Sequence, residues 1–334
     1  MKNIMELMER CGLGKVCGEI TAVSGGFLHK MFRVPTVSGV YAVKRLNPDI
    51  MKRQDAHENF AAAEKLELML EKNDIPIVAA LCINGKKMQE LGGEYFYIFG
   101  WQEGSITDMG NVTREQCRIA GELLGRIHSI DVRENEAPEA EPNETDLSFY
   151  LKKAEERGDK DIYDMLAENM SLLERARSGF NEAVKRIPPI TSIINDDMDP
   201  KNVMWENGKP HIIDLECLEY GSPFASCINL SLQWAGTAEE RFDDEHLRAF
   251  FEGYTNAFDP CGISYSGLFG TAYSWLGWLE YNLRRALGLE GKGEAEKEAG
   301  RSEVRSTIRR IAYLNRHEDC IRGILKDIDI RNRQ

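Results

Sequence analysis

The sequence predicts an α+β chain in two parts, a small β-rich part followed by a larger, mainly helical one. Three observations carry that prediction. Short apolar runs punctuated by Gly, Ser and Asn fill most of the first hundred residues, around a single stretch with helical spacing. The texture changes across Gly100–Gly104, after which periodic helical segments dominate. One later segment, Thr191–Leu218, breaks the helical pattern with apolar pairs set among Asp, Gly and Pro, which marks a loop-rich hairpin inside the second part.

Taken in order, Ile20–Val23 and Met31–Val34 read as strands on either side of Ser24-Gly25-Gly26, and Val40–Lys44 as a third strand after Ser38-Gly39. Arg53–Lys72 contains no Gly or Pro and keeps Phe60, Ala63, Leu66 and Leu70 on one helical face. Asn73-Asp74-Ile75-Pro76 stops that helix, because the residue before a proline is driven out of the helical region. Val78–Ile83 and Tyr95–Phe99 read as two more strands, with a tight turn at Asn84-Gly85. Beyond the change in texture, Gln116–Ile130 is amphipathic through Ala120, Leu123, Leu124 and Ile127. Asp131–Asp146, acidic and carrying two prolines, reads as a solvated loop, Leu147–Ile187 as largely helical, and Glu290–Ser302 as a solvated break in the final helices. There is no internal repeat. The expected division is 1–103 and 104–334.

Of 334 residues, 42% are hydrophobic and 29% charged, a balance that fills sizeable cores. No apolar run approaches the ~20 residues of a membrane helix. The first ten residues mix charges through any export signal, so a cytoplasmic chain with no membrane partner is expected. Eight scattered cysteines make no C-x-x-C pair and read as reduced, mostly buried thiols. The first 104 residues hold 13 basic and 13 acidic side chains, so the entire net charge of −13 lies in residues 105–334. Such a surface argues against nucleic acid. It fits a plain soluble surface, the simpler reading from charge alone, and also the capture of a cationic ligand.

The densest chemical signal is Asn195-Asp196-Asp197-Met198-Asp199-Pro200-Lys201-Asn202-Val203-Met204-Trp205, followed by His211-Ile212-Ile213-Asp214-Leu215-Glu216. Each is an acid-rich loop beside a short apolar strand, and Asn207-Gly208 supplies the turn between them. That pattern gathers Asp197, Asn202 and Asp214 at one end of a hairpin. A carboxylate and an amide oxygen there suit Mg²⁺, which takes hard oxygen ligands. A second carboxylate suits the deprotonation of a hydroxyl. A surface loop rich in turn-forming Asp and Asn has the same composition.

D-x-x-x-x-N followed by Ile-Ile-Asp resembles the catalytic and metal loops of protein kinases and their relatives. The fuller string more closely resembles the aminoglycoside phosphotransferase and choline kinase superfamily, whose usual form is His-Gly-Asp-x-x-x-x-Asn, then Ile-Asp and an aromatic residue with an acid after it. The resemblance implies a bilobal protein-kinase-like fold with ATP or GTP between the lobes. It implies Asp197 as the base, and Asn202 and Asp214 as ligands of Mg²⁺. Glu216 falls at the superfamily's second acid. The chain departs from the pattern at Asn195, where His is usual, and an amide replaces only part of that imidazole's hydrogen bonding.

Upstream, the resemblance makes Lys44 the lysine on the α- and β-phosphates, with Ala42 lining the base pocket. It makes Glu64 the helical partner of Lys44, with Glu67 second, since it shares nearly the same face. Gly25 and Gly26 fall in the nucleotide-covering loop, and His29 and Lys30 after them are candidates for phosphate contact. Phe99 takes the gatekeeper position, while the Gly100 carbonyl and the Gln102 amide would bind the purine edge. No Ala-Pro-Glu segment and no long activation loop follow Asp214, which argues against a protein substrate. A small, cationic acceptor and no obligate protein partner are therefore expected. Asp199, Glu216, Trp234, Trp278, Glu280 and Tyr281 are the candidate acceptor residues, although aromatic clusters at helical spacing also build cores. The second enzymatic reading is a choline-, thiamine- or sugar-type metabolic kinase. A reading of another class is a nucleotide-binding pseudokinase, against which Lys44, Asp197, Asn202 and Asp214 all speak.

Overall fold

The computed structural model describes residues 1–23, 29–132, 141–258, 260, 262–291 and 293–332. The chain separates into two compact units, Met1–Thr107 with Lys201–Glu219, and Asp108–Pro200 with Tyr220–Gln334. The hairpin read from sequence as part of the second domain thus clusters with the first unit. Backbone pairing is the reason: Ser105–Ile106 lies antiparallel to its first strand, and Ile77 bridges Ile212.

The first unit is built on an antiparallel sheet of order β1-β2-β3-β5-β4, formed by β1 (Thr21–Val23), β2 (Lys30–Thr36), β3 (Gly39–Arg45), β4 (Gln89–Leu91) and β5 (Glu94–Gly100). Strand alternation sorts its side chains by face. Val34, Val43, Phe96 and Ile98 pack with Ile4, Leu7 and Met8 of helix α1 (Lys2–Arg10). In the opposite phase, Ala42 pairs across from Phe99 and Lys44 from Tyr97. After the short α2 (Pro48–Met51), α3 (Ala56–Lys72) buries Phe60, Ala63, Leu66 and Leu70, the face its spacing predicts. The expected strand over 78–83 does not form. The Val78 N–H donates to the Ile212 carbonyl, that of Ala80 to Glu67 Oε1 and that of Leu81 to the Ile98 carbonyl, so the donors go to different partners and no continuous ladder forms. The turn at Asn84-Gly85 is present, with φ of 52° and 78°. The remaining strands of this unit, β6 (Ser105–Ile106), β8 (Val203–Glu206) and β9 (Lys209–Ile212), form a second sheet.

In the second unit α4 (Arg114–His128) starts from a capping box between Thr113 and Gln116. It crosses α8 (Asp244–Ala257) at Gly121 and Gly253, where a Cβ would overlap the carbonyl oxygens of Phe250 and Arg118 respectively. α5 (Leu147–Arg157) and α6 (Lys160–Val184) are separated by Gly158, at φ 67°. The buried strand β7 (Ser192–Asn195) leads into the acidic loop. α7 (Pro223–Trp234), the short α9 (Tyr265–Leu268), α10 (Trp275–Ala286) and the 38-residue α11 (Glu294–Arg331) complete the unit. The segment read as a solvated break over 290–302 is mostly the first turns of α11. Acids at Glu294 and Glu296 favour a helix N-terminus, and Lys297–Glu294 and Arg301–Asp159 ion pairs tie it down. Among the described residues no helix is long and apolar enough to cross a membrane. Of seven described cysteines, all free, Cys117 and Cys227 are buried but four are exposed, against the expectation of mostly buried thiols.

Candidate active site

In the first unit, β3 carries Lys44 into an almost fully buried position, 7% exposed at its side chain. Its ammonium lies 2.8 Å from Asp214 Oδ1 and 2.7 Å from Glu216 Oε1. Burial alone would push its pKa down, but the two carboxylates outweigh burial and hold it above its ordinary value. Glu216 shows the converse balance. Burial pushes its carboxyl up, and the hydrogen bond from His29 together with the Lys44 charge bring it below the usual carboxylate range. His29 Nε2 is 3.0 Å from Glu216 Oε2, and His29 Nδ1 accepts the Asn47 N–H at 2.9 Å. Both ring nitrogens are engaged inward, so the ring is not the phosphate contact that its place after the covering loop allowed. Gly25 and Gly26 lie outside the described residues.

Asp214 follows β9 with φ 59° and ψ 67°, a left-handed conformation that Asp tolerates better than most residues. Asn207 and Gly208, at φ 52° and 78°, close the β8–β9 hairpin at one end. Val203 pairs with Ile212, and the Ile213 N–H donates to the Asn202 carbonyl at 2.9 Å, so Asn202 and Asp214 share the other end. An amide oxygen and a carboxylate together are the hard donors that Mg²⁺ takes, and the Asp214 side chain is 40% exposed. The donor set fits that ion.

The expected pairing of Lys44 with Glu64 is not the one found. Glu64 Oε1 accepts the Tyr97 hydroxyl at 2.8 Å, and burial followed by that bond raises the Tyr97 pKa. Glu67 faces Lys87 at 3.1 Å. On the link after β5, the Trp101 N–H donates to the Val40 carbonyl, and the Gln102 side chain donates to Glu206 at 3.1 Å. Phe99 packs on a cluster of Leu46, Met51, Phe60, Ala80 and Tyr97.

In the second unit, Asn195 is fully buried and its Oδ1 accepts the Asp197 N–H at 3.3 Å. The Met198 N–H donates to the Asn195 carbonyl, and the Met198 carbonyl accepts the Trp234 indole N–H at 2.9 Å. Trp234 is 1% exposed. It is a core residue bracing the acidic loop, so its expectation as an acceptor contact is corrected. Asp199 is buried too. On α10, Glu280 accepts hydroxyls from Thr145 and Tyr150 at 2.9 and 2.7 Å, while Trp278 is exposed and lies beside Tyr281, ring centroids 5.4 Å apart.

A sequence model of the phosphotransferase enzyme family matches residues 19–259, well over half the chain. The chain belongs to that family. Among solved structures, this phosphotransferase is similar to a spectinomycin phosphotransferase in complex with ADP and spectinomycin, with a TM-score of 0.67 at 12% identity, over 93% of this chain and 97% of that one. It is similar to an amicoumacin kinase (TM-score 0.59, 10% identity, 91% and 92% covered) and to a Plasmodium vivax ethanolamine kinase (TM-score 0.58, 15% identity, 86% and 81% covered). These likenesses carry the kinase-like α+β fold. No curated protein matches the sequence.

Two residues of this phosphotransferase have partners that the sequence reading did not assign to them. Glu216 was placed near the metal or acceptor, whereas its carboxylate sits on Lys44. His29 carried only the signal of a polar residue beside a Gly-rich turn. Its partners, Asn47 and Glu216, are remote in sequence.

Proposed function

We propose that this phosphotransferase moves the γ-phosphate of ATP or GTP to a hydroxyl of a small cationic molecule of aminoglycoside type, in the cytoplasm. The observation that carries the reading is the buried Lys44 ammonium held against Asp214 and Glu216, in a chain that also keeps Asp197 and Asn202 in D-x-x-x-x-N order. In this reading Lys44 faces the α- and β-phosphates. Ala42 and Phe99 bound the purine, the Gly100 carbonyl and Gln102 N–H meet its edge, and Gly25 and Gly26 cover the phosphates. Asn202 and Asp214 hold Mg²⁺, which when bound neutralises charge on the transferred phosphoryl group. Asp197 orients the acceptor hydroxyl and takes its proton. Glu280, Trp278 and Tyr281 are candidates for the acceptor surface. An exposed Trp278 suits a cation, which an aromatic face attracts.

The test is an acceptor screen following nucleoside diphosphate release with Mg²⁺ and either ATP or GTP. Spectinomycin, amicoumacin and ethanolamine, the compounds named for the three structural neighbours, head it, with choline, thiamine and sugars behind them. For a cationic acceptor, KM should rise between low salt and ~0.15 M salt, where the screening length is about 8 Å, with little change in kcat. A neutral acceptor turned over efficiently with no salt dependence would replace the cationic reading with a sugar-type kinase. Tight nucleotide binding with no turnover on any acceptor would favour a pseudokinase.

A further inference from the structure

His29 follows the covering loop as a candidate phosphate contact, yet it is buried at 9% exposure and both ring nitrogens have partners in the first unit. The Asn47 N–H donates to Nδ1 at 2.9 Å, which leaves the ring proton on Nε2. That proton points at Glu216 Oε2, 3.0 Å away, and the other carboxylate oxygen of Glu216 is 2.7 Å from the Lys44 ammonium. A proton on Nδ1 as well would set two N–H groups against each other, so the backbone of Asn47 selects a neutral, ε-protonated ring. A carboxylate gripped at one oxygen has lost its free rotation, and its second oxygen stays where Lys44 needs it. The helix glutamate that could otherwise fix the lysine, Glu64, is committed to Tyr97.

We infer that His29 is a positioning residue of this phosphotransferase: its neutral imidazole, donating Nε2–H to Glu216, holds Glu216 and through it the Lys44 ammonium in the place where nucleotide phosphates are received. The inference rests on Lys44 being the phosphate lysine, as proposed above. The chain Asn47–His29–Glu216–Lys44 does for this protein what a single helix carboxylate does when it reaches the lysine directly.

Two measurements test it. The first needs no nucleotide: imidazole ¹⁵N spectra of histidine-labelled protein, with the His29 signals assigned by their loss in His29→Gln, should show protonated Nε2 and bare Nδ1. The second is calorimetric binding of Mg²⁺-nucleotide alongside Tm for each variant. His29→Leu should raise Kd about tenfold, the worth of one hydrogen bond to a charged group, and also lower Tm, because the Asn47 N–H and Glu216 Oε2 each lose a buried partner. His29→Gln, whose amide reaches as far as Nε2, should bind within about threefold of wild type. His29→Asn keeps a polar group at the Asn47 end but falls short of Glu216, so it should behave as His29→Leu and replaces it if the leucine variant does not fold. In Glu216→Gln the His29→Leu change should add nothing further. A charged or Nδ1-protonated ring, wild-type affinity in His29→Leu and His29→Asn, or losses that multiply in the double variant would each overturn the inference. Wild-type protein that binds no nucleotide would instead overturn the kinase reading, while the spectra still judge the His29–Glu216 bond.

Discussion

Around Lys44 the first unit is held by charge: one ammonium, two carboxylates and a hydrogen-bonded imidazole, with Lys44 and His29 buried and Asp214 open to water. The loop that carries Asp197 in the second unit also has neutral hydrogen bonds, from the Asp197 N–H to the Asn195 amide oxygen and from the Trp234 indole to the Met198 carbonyl. The two arrangements fail differently. Removing one member of a buried charge network strands its partner, at a cost of about 3–5 kcal/mol. Removing one neutral hydrogen bond costs about 1 kcal/mol. Charge-conserving or isosteric changes are therefore needed in the first region before any change in binding can be read as chemistry, whereas losing one of these neutral bonds is the smaller change.

The sharpest break in that comparison is at Asp197. Asp197→Ala should lower kcat by about 10²–10⁴-fold and leave Mg²⁺-nucleotide affinity close to wild type, because a base acts on the acceptor. Turnover at the wild-type rate would remove Asp197 from that role. Asp214 should show the opposite signature, with metal-dependent nucleotide binding itself weakened. Asp214→Asn is the cleaner probe than Asp214→Ala, since Asn tolerates the left-handed backbone and Ala adds strain at φ 59°. Equal nucleotide affinity in the Asn variant and wild type would take Asp214 out of the metal site.

A smaller effect tests the neutral brace. Trp234→Phe keeps a buried ring but deletes the indole donor on Met198. It should cost about 1–3 kcal/mol of stability, from the stranded Met198 carbonyl and the smaller ring, and lower kcat several-fold, with nucleotide Kd unchanged. A Kd shift as large as the kcat shift would mean that the brace does not act through the loop.

The remaining effect is on stability against pH and leaves the chemistry untouched. His128 of α4 is buried, its Nδ1 meets the Tyr254 hydroxyl at 2.9 Å, and burial pushes its pKa down to about 3. The unfolded chain therefore binds a proton below about pH 6.5 that the folded chain refuses until about pH 3. Stability falls as pH drops through that window, by at most ~1.4 kcal/mol per unit. His128→Asn should flatten the Tm profile between pH 6.5 and 4 relative to wild type. An unchanged slope would assign the acid sensitivity to other groups.

Much of this was legible in the chain because the signals are local. Phe60, Ala63, Leu66 and Leu70 mark one helix face, and Asn84-Gly85 and Asn207-Gly208 mark turns whose φ angles are positive as that dipeptide requires. Asn202 and Asp214 could be placed at one end of a hairpin from its turn alone. The anchor of Lys44 was not legible, because Asp214 lies 170 residues away and nothing local distinguishes Glu64 from Glu216 as the partner. Trp234 was ambiguous for another reason: helical spacing puts an aromatic residue on a face without saying whether that face meets ligand or core. The segment 78–83 has strand composition, but its amide donors go to Ile212, Glu67 and Ile98, long-range partners that composition does not reveal.

The crossing of α4 and α8 carries a warning for anyone wishing to make this protein hardier. Replacing a mid-helix glycine with alanine is a standard route to thermostability, since it removes freedom from the unfolded chain and gains about 1 kcal/mol in helix preference. At Gly121 and Gly253 the sign reverses. Each faces a carbonyl oxygen of the opposite helix so closely that one methyl group would force the two backbones apart. Alanine scanning there should lower Tm, and library designs that substitute glycines indiscriminately would discard this fold at its tightest seam.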